Sequence, residues 1–238
     1  MASNLGRVLG SSIFRKQVSA VTGLAMVGFV IAHLMGNLLL FVGPEAFNDY
    51  AHKLEALGPL LWVMRGGMIV SVVLHVALTL TLAVENAKAR PERYDVVADH
   101  GDRKKATRAM KYTGSMIVLF LVLHLYDFTF GDKTGAGTIL EGVNGGESLG
   151  LFGLVWNSFS IRYSGWNVVR DVIYILAVSS VGLHLSHALE SVVQTFGFHH
   201  DRYTPIVRKV SLAVGIVVGV MFASIPVYIA LASTPFGV

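Results

Sequence analysis

The sequence lacks cysteine and has few charged residues, and both absences exclude whole classes of protein. Without cysteine among its 238 residues, the chain has no disulfide, no thiolate metal site, no iron–sulfur ligation and no covalent haem attached through a Cys-x-x-Cys-His motif. Charged residues make up 14% and hydrophobic residues 53%, whereas a soluble domain carries about 25% charged residues. The composition therefore argues against a soluble, disordered or fibrous protein. Any metal or cofactor must be held by imidazole, carboxylate or main chain.

Long apolar stretches predict an all-α integral membrane protein, a single domain with a bundle of five transmembrane helices. About 20 mostly apolar residues cross a bilayer as a helix, because lipid offers no partners for backbone N–H and C=O groups. Five such stretches lie at about residues 17–42, 66–86, 111–130, 170–196 and 208–232. The first is too long for a signal peptide and is predicted to be a mature span. A short interfacial helix is expected at residues 148–156, in the glycine-rich connection 131–165.

The distribution of basic residues predicts which side of the membrane each terminus occupies. Most of the 19 lysines and arginines fall in the N-terminal tail and in the connections 85–111 and 197–209. The positive-inside rule then places the N-terminus in the cytoplasm and the C-terminus outside, as in a multi-pass protein of the bacterial inner (cytoplasmic) membrane. The same rule accounts for the pI near 9.4, so the expected surroundings are a lipid bilayer and no nucleic-acid partner is expected.

Four of the five predicted spans contain interior histidines, which are costly in a membrane and therefore indicate function. They are His33, His75, His124 and, in the fourth span, His184 with His187. At about 1.5 Å per residue, depth sorts them into an outer pair, His33 with His124, and an inner pair, His75 with His184. Two layers of two imidazoles fit two bis-histidine b haems stacked across the membrane. Filling both axial positions of the iron suits electron transfer.

Other residues near these histidines are candidates for supporting roles. Ser71 and Ser180 each lie four residues before a histidine and are predicted to accept a hydrogen bond from its Nδ1. His187 follows the first histidine of its span by three residues, so it is a rival ligand or a supporting group. Gly28 and Gly36 either leave room for a flat macrocycle or allow close helix packing, and the sequence favours neither. The histidines of the connections that are predicted to face solvent are His100, His199 and His200.

The segments around the histidines resemble those of one family of membrane proteins. The stretch at residues 33–57 reads H-L-M-G-N-L-L-L-F-V-G-P-E-A-F-N-D-Y-A-H-K-L-E-A-L, and V-L-H-V-A, V-L-H-L-Y and L-H-L-S-H-A-L-E-S surround the later histidines. These segments are similar to the cytochrome b558 membrane anchor of succinate dehydrogenases and fumarate reductases, in its single-chain, five-helix, two-haem form. The resemblance covers about residues 14–198, and the fifth span matches only as an apolar helix.

The resemblance implies a five-helix bundle that encloses two stacked b haems, the outer held by His33 and His124 and the inner by His75 and His184. It also implies a place in complex II, a quinone-linked enzyme of the tricarboxylic acid cycle, whose succinate site is on a partner subunit. The expected partners are a flavoprotein with covalent FAD and an iron–sulfur protein. Electrons would pass from succinate through the haems to a quinone, usually menaquinone in such relatives. The resemblance is also compatible with a higher oligomer of the complex.

The resemblance further implies a quinone site near the outer haem, where a proton donor must reach the ring oxygens. The matching acidic residue is Glu55, and His52 lies three residues earlier on the same helical face. The alternative is that both residues simply face water. Some fumarate-reducing relatives carry a glutamate at the position of Gly182 and use it to move protons across the membrane. Its absence here favours succinate oxidation as the working direction.

Two alternative interpretations stay open. One is the dihaem cytochrome b subunit of another quinone-linked oxidoreductase, such as a hydrogenase, although the stretch at residues 33–57 and the single ligand on each helix argue against it. The other is a transporter whose histidines relay protons. Such a transporter would need acidic partners deep in the spans, and here the acidic residues of the spans lie only near their ends.

Overall fold

The computed structural model is a bundle of helices, five of which are long and apolar enough to cross a membrane. It describes residue 6 and residues 10–89, 102–140, 143–198, 200–232 and 234–235; His100 and His199 lie outside these ranges. The long helices are α1 (Ser12–Leu38), α3 (Pro59–Lys88), α4 (Asp102–His124), α6 (Asn167–Thr195) and α7 (Thr204–Leu231), and the shorter ones are α2 (Pro44–Glu55) and α5 (Gly150–Phe159). The described ranges contain no β-strand. The chain is therefore a multi-pass helical membrane protein, as its composition predicts.

The long helices extend beyond the charge-free runs in the sequence, because charged residues near their ends find partners. α3 begins at Pro59, earlier than predicted, and the guanidinium of Arg65 lies 5.0 Å from the ring centre of Trp62. Arg15 in α1 places Nη1 2.7 Å from Oε1 of Glu85 near the end of α3. A paired charge at a helix end is tolerated where an isolated one is not. The length of a charge-free run in the sequence is therefore an underestimate of the length of the helix.

Contacts between helix ends show that neighbouring helices run in opposite directions. The Arg15–Glu85 pair joins the start of α1 to the end of α3. The hydroxyl of Tyr174, near the start of α6, donates to Asp127, just after the end of α4. Ser211, early in α7, donates to backbone carbonyls late in α6. We call the end of the bundle that carries α2 and α5 the outer end, after the predicted topology, and the opposite end the inner end.

Exposed aromatic side chains mark the ends of the apolar segments. Trp62 lies in the first turn of α3, Tyr112 at the start of the apolar part of α4, Tyr126 and Phe130 just after α4, and Trp166 just before α6. Each of these side chains is more than two-thirds exposed. Tryptophan and tyrosine are enriched where helices pass from hydrocarbon to water. Their positions agree with helices that span a bilayer between two such levels.

The helices pack as two pairs, α1 with α3 and α4 with α6. The pairs meet where α1 crosses α6, and α7 packs along α6 and also contacts α1. Within the described part of the chain, α3 makes no comparably extensive contact with α4 or α6, and none of its residues is buried. Space therefore remains between the α1–α3 pair and the α4–α6 pair, and all four helices around this space carry a histidine.

Glycine allows α6 and α7 to cross with their backbones close together. A Cβ atom on Gly182 would lie 2.6 Å from the carbonyl oxygen of Gly215 and 3.1 Å from Cα of Gly219. Helices in lipid associate through such small residues, because they gain van der Waals contact from close approach. Packing therefore explains Gly182. A glutamate at this position would not fit without separating α6 from α7.

The described residues of the connection between α4 and α6 form a cap over the outer end. Phe152 of α5 is fully buried, and its ring packs on Phe47 of α2 and on Trp156, with ring centres 6.0 and 5.8 Å apart. The side chain of Asn48 donates to the carbonyl of Leu149 and accepts from the N–H of Phe152, so it caps the start of α5. The short helix predicted in this connection is present, but it is buried in the cap. The E-A-F-N motif thus fastens α2 to α5.

We expect Gly182→Ala to destabilise the bundle, because the added methyl group would overlap the backbone of α7. Overpacking of this kind costs about 1–3 kcal/mol, which thermal unfolding of the detergent-solubilised protein would detect as a lower melting temperature. Gly67→Ala in α3 is the matched control, since a Cβ atom there meets nothing within 4 Å. Equal melting temperatures for the two variants would contradict the close crossing of α6 and α7.

Candidate functional site

The outer pair of histidines is brought together by α1 and α4. The ring centres of His33 and His124 are 5.7 Å apart and the ring planes are 86° apart, which agrees with the pairing that depth predicts. Two imidazoles bound to one metal ion have ring centres about 6 Å apart, because each metal–nitrogen bond is about 2 Å long. Nδ1 of His124 is buried without a hydrogen-bond partner, whereas buried polar groups are normally paired. The spacing suits an iron between the rings, and ligation itself stays a prediction.

Aromatic side chains fix the planes of the two outer imidazoles. Phe29, one turn before His33, stacks on its ring at 5.4 Å with an 11° angle between the planes. Phe222 of α7 approaches the same ring at 6.1 Å. The rings around His124 are those of Phe120, Phe128 and Tyr174, at 5.5, 5.4 and 6.2 Å. α7 carries no histidine, so its contribution through Phe222 was not visible in the sequence.

The inner imidazoles donate hydrogen bonds to α1 and α4, the two helices that carry the outer histidines. Nδ1 of His75 lies 2.9 Å from the carbonyl oxygen of Ser19 in α1. Nδ1 of His184 lies 3.2 Å from Oγ1 of Thr113 in α4, and this hydroxyl already donates to the carbonyl of Ala109. In both cases Nδ1–H is the donor, which leaves Nε2 to bind a metal. The two rings are close enough to interact electrostatically.

Ser71 and Ser180 are not the partners of these rings, and this prediction is wrong. Each hydroxyl donates to a carbonyl of the preceding turn of its own helix, at 2.8 and 2.9 Å, and Ser180 also contacts the sulfur of Met116. A serine inside a helix readily bonds backward in this way, whereas Nδ1 of each histidine reaches across to a neighbouring helix. The supporting groups therefore come from Ser19 and Thr113, which the spacing within one span does not reveal.

Two glycines receive the inner imidazoles. A Cβ atom on Gly23 would lie 3.2 Å from Cε1 of His75, and one on Gly114 would lie 3.5 Å from Cε1 of His184. Each glycine precedes the outer histidine of its own helix by ten residues, which is a rise of about 15 Å. The two pairs are therefore layers about 15 Å apart. The shared Gly-x₉-His spacing of α1 and α4 is a sequence signal that inspection of single spans misses.

The two glycines that flank His33 have different environments. A Cβ atom on Gly36 would overlap the ring of Tyr50 in α2, whereas one on Gly28 would meet nothing within 4 Å. Asn37, which lies in the same stretch at residues 33–57, donates to the carbonyl oxygen of His33 at 2.8 Å. Close packing therefore explains Gly36, and open space for a bound group remains the explanation for Gly28.

His187 follows His184 by one turn and lies close enough to interact with it electrostatically. Both are partly buried on α6. Within the described ranges, no group of three or more histidine, aspartate and glutamate side chains gathers around a common point, so His187 completes no cluster with the inner pair. The donors are thus pairs of imidazoles, a set that fits the two axial positions of haem iron and differs from a four-ligand zinc site.

A cavity of about 370 Å³ opens at the outer end, beside the outer pair. Its volume is in the range of small-molecule sites. Phe128 lines the cavity and also contacts His124, and the centres of those two rings are 5.4 Å apart. The residues that line the cavity are Glu55, Gly58, Leu61, Trp62, Arg65, Phe128, Thr129 and Lys133. The lining combines the aromatic rings of Trp62 and Phe128 with side chains of both charges, a combination suited to a planar ring that carries polar oxygens.

The two residues predicted for the quinone site have different positions. Glu55 lines the cavity, whereas His52 is not one of the lining residues. Nδ1 of His52 lies 3.7 Å from Oε2 of Glu55, and the side chains are 76% and 57% exposed. An exposed pair of this kind contributes little to stability. The structure therefore favours the water-facing alternative for His52 and leaves Glu55 as the acidic group of the cavity.

A tight turn places Lys133 at the mouth of the cavity. The carboxylate of Asp132 accepts hydrogen bonds from the backbone N–H and the hydroxyl of Thr134 and from the N–H of Gly135. The hydrogen bonds from Thr134, followed by the one from Gly135, favour the ionised form and hold the pKa of Asp132 below its ordinary value. The turn is therefore intact at neutral pH, with Asp132 ionised.

Comparisons with protein-family models, with curated protein sequences and with solved structures find no match for this chain. The class of protein is therefore defined by the chain's own residues. It is a multi-pass helical membrane protein in which four spans carry histidines at two levels, and those of the outer level are in contact. Both of its outer connections, together with α3, line a cavity next to the outer level.

Proposed function

We propose that the chain is the membrane-anchor and electron-transfer subunit of a succinate:quinone oxidoreductase, and that each histidine pair holds one haem b. The observation that carries the proposal is the arrangement of the imidazoles. Each of four spans contributes one histidine to a pair, and the pairs lie about 15 Å apart along the helices. The resemblance of the four histidine segments to the cytochrome b558 anchors supports the proposed class of enzyme.

The chain's own residues would orient and shield the imidazoles. The carbonyl of Ser19 and the hydroxyl of Thr113 hold the inner rings through Nδ1, which would leave Nε2 free to bind a metal. Phe29 and Phe222 hold the ring of His33 and exclude water from it. When bound, haem with two axial imidazoles supplies one-electron transfer. Gly28, with open space beside it, provides room for a flat group at the outer level.

The outer cavity is the proposed quinone site, and Glu55 is the group that would exchange a proton with a quinone oxygen. Proton transfer of this kind requires a carboxyl group within hydrogen-bond reach of the oxygen. Arg65 and Lys133 in the same lining would attract the oxygens as their negative charge develops. Phe128 both lines the cavity and contacts His124, so the distance for electron transfer to the outer level would be short.

The inner end is the proposed docking face for the flavoprotein and iron–sulfur partners. In the topology predicted from basic residues this end is cytoplasmic, and the chain itself lacks cysteine for iron–sulfur clusters. The inner pair would then be the first to receive electrons from the partner. The proposed location is the bacterial inner membrane, and succinate oxidation is the proposed working direction because Gly182 leaves no carboxylate at that level of α6.

We expect the affinity-tagged chain, purified from its native membrane in mild detergent, to bring with it a flavoprotein and an iron–sulfur protein. The preparation should oxidise succinate with a quinone as acceptor. Recovery of a hydrogenase subunit, or of the chain with haem but without a flavoprotein, would instead favour another quinone-linked cytochrome b. The difference between dithionite-reduced and oxidised spectra checks the same sample for b-type haem, and its absence would refute haem ligation.

Single alanine substitutions should separate the two haems by level. His33→Ala and His124→Ala are each expected to remove the same b-type component, and His75→Ala and His184→Ala the other, because each haem needs both of its axial ligands. Haem content should fall by about half in each variant if the other site remains filled. Redox titration of the difference spectrum distinguishes the components. Loss of one common component in His33→Ala and His75→Ala would contradict the pairing.

Glu55→Gln should lower quinone-linked turnover while both haems are retained. Loss of a proton-transfer group costs about 10²–10⁴-fold in rate, and we expect at least a tenfold drop in kcat with quinone. Glu45→Gln is the matched control, because it makes the same change on the same helix at an exposed residue outside the cavity lining. Unchanged turnover in Glu55→Gln would move the quinone site away from the outer cavity.

A further inference from the structure

A buried acidic residue follows His124 in an irregular turn. After His124, α4 passes into one turn of π-helix at Leu125–Thr129, and single π-helical turns are frequent at functional sites. Asp127 lies in this turn and is only 9% exposed, although the sequence places it where a span reaches the interface. Burying a carboxylate at the end of a span costs free energy unless it is paired. The residues that pair with Asp127 therefore stabilise its buried carboxylate.

Asp127 is paired with two residues of α6. The hydroxyl of Tyr174 donates to Oδ2 of Asp127 at 2.7 Å, and Nε of Arg170 lies 3.7 Å from the same oxygen. Nη1 of Arg170 is also 3.4 Å from the carbonyl oxygen of Ser158 in α5. We call Asp127, Tyr174 and Arg170 the Asp127 cluster. It joins α4, α6 and the cap and places two opposite charges at one tyrosine hydroxyl.

The Asp127 cluster reaches the outer histidine pair through the ring of Tyr174. This residue is 4% exposed, and its ring centre lies 6.2 Å from that of His124. The same ring contacts Phe120 at 5.0 Å and Phe128 at 5.9 Å, and both of those flank His124. A change in the bond between Tyr174 and Asp127 would therefore be transmitted to the imidazole. Only one aromatic ring separates the imidazole from the two charges.

We infer that the Asp127 cluster positions His124 and sets the electrostatic potential at the outer pair, so that its charges control the reduction potential of the group held there. The inference rests on the proposed haem ligation by His33 and His124. A nearby negative charge stabilises the oxidised, more positive form of an iron centre, and a positive charge stabilises the reduced form. These effects are strong where little water intervenes. The inner pair, about 15 Å further along the helices, is affected much less.

Two charge-removing variants of the assembled protein test the inference. Asp127→Asn keeps an oxygen that accepts from Tyr174 and is expected to raise the midpoint potential of the outer haem. Arg170→Gln is expected to lower it. The inner haem should titrate as in the unmutated protein in both variants, which makes it an internal control. Opposite shifts would distinguish an electrostatic role from a general loosening of the bundle, which would not follow the sign of the charge removed.

The positioning role is tested by Tyr174→Phe, which keeps the ring and removes the hydrogen bond. The largest g value of a low-spin ferric haem depends on the angle between its axial imidazole planes, so we expect a shift in the electron paramagnetic resonance signal of the outer haem alone. Tyr126→Phe is the matched control, since Tyr126 lies in the same π-helical turn but is 72% exposed. It should leave the signal unchanged.

Each outcome of these measurements separates the inference from the proposed function. Selective loss of the outer haem from Asp127→Asn would support the inference, because a general folding defect would remove both haems. Unchanged potentials and an unchanged outer signal in all three cluster variants, even with lower melting temperatures, would overturn it and reduce the cluster to a structural clamp. Absence of haem from the unmutated protein would overturn the proposed function, and the inference with it.

Discussion

Each inner imidazole is received by a neighbouring helix, and the rest of the site depends on this interaction. His75 reaches the carbonyl of Ser19 in α1, and His184 reaches the hydroxyl of Thr113 in α4. Such a partner stabilises a ring nitrogen within an apolar span, and a glycine in the receiving helix makes room for the ring. These contacts set the height and rotation of α3 against α1 and of α6 against α4. The outer histidines lie ten residues further along the same receiving helices, and the contact of α1 with α6 joins the two helix pairs.

The helices pack around these rings so that a space remains between the two helix pairs. α1 and α3 form one pair of helices and α4 and α6 the other, and α7 supports α6 through a crossing of glycine on glycine. α2 and α5 close the outer end, where Asn48 and Phe47 fasten them together. The proposed quinone cavity lies at the edge of this cap, where α2 ends and α3 begins. The Asp127 cluster ties the cap to the outer imidazoles from the other side.

Local patterns in the sequence were sufficient for the five spans and the pairing of His33 with His124, because both depend on apolar length and on a constant rise per residue. They were insufficient where a side chain chooses between a local and a distant partner. Ser71 and Ser180 were predicted to serve the neighbouring histidine of the same helix, but a serine in a helix bonds more readily to the carbonyl one turn back. Helix ends were misplaced for a related reason, since a charge such as Arg15 can enter a span when another helix supplies its partner.

The amino-acid sequence by itself determined that the chain is a helical membrane protein with histidines at two depths, because the bilayer imposes span length and makes each interior histidine conspicuous. Only the tertiary structure decided which groups hold the rings, that α7 contributes Phe222, that Glu55 and not His52 lines the outer cavity, and that Asp127 is buried. These facts arise from contacts between residues far apart in the chain. Their geometry depends on how the helices rotate against one another, which periodicity along a single helix does not specify.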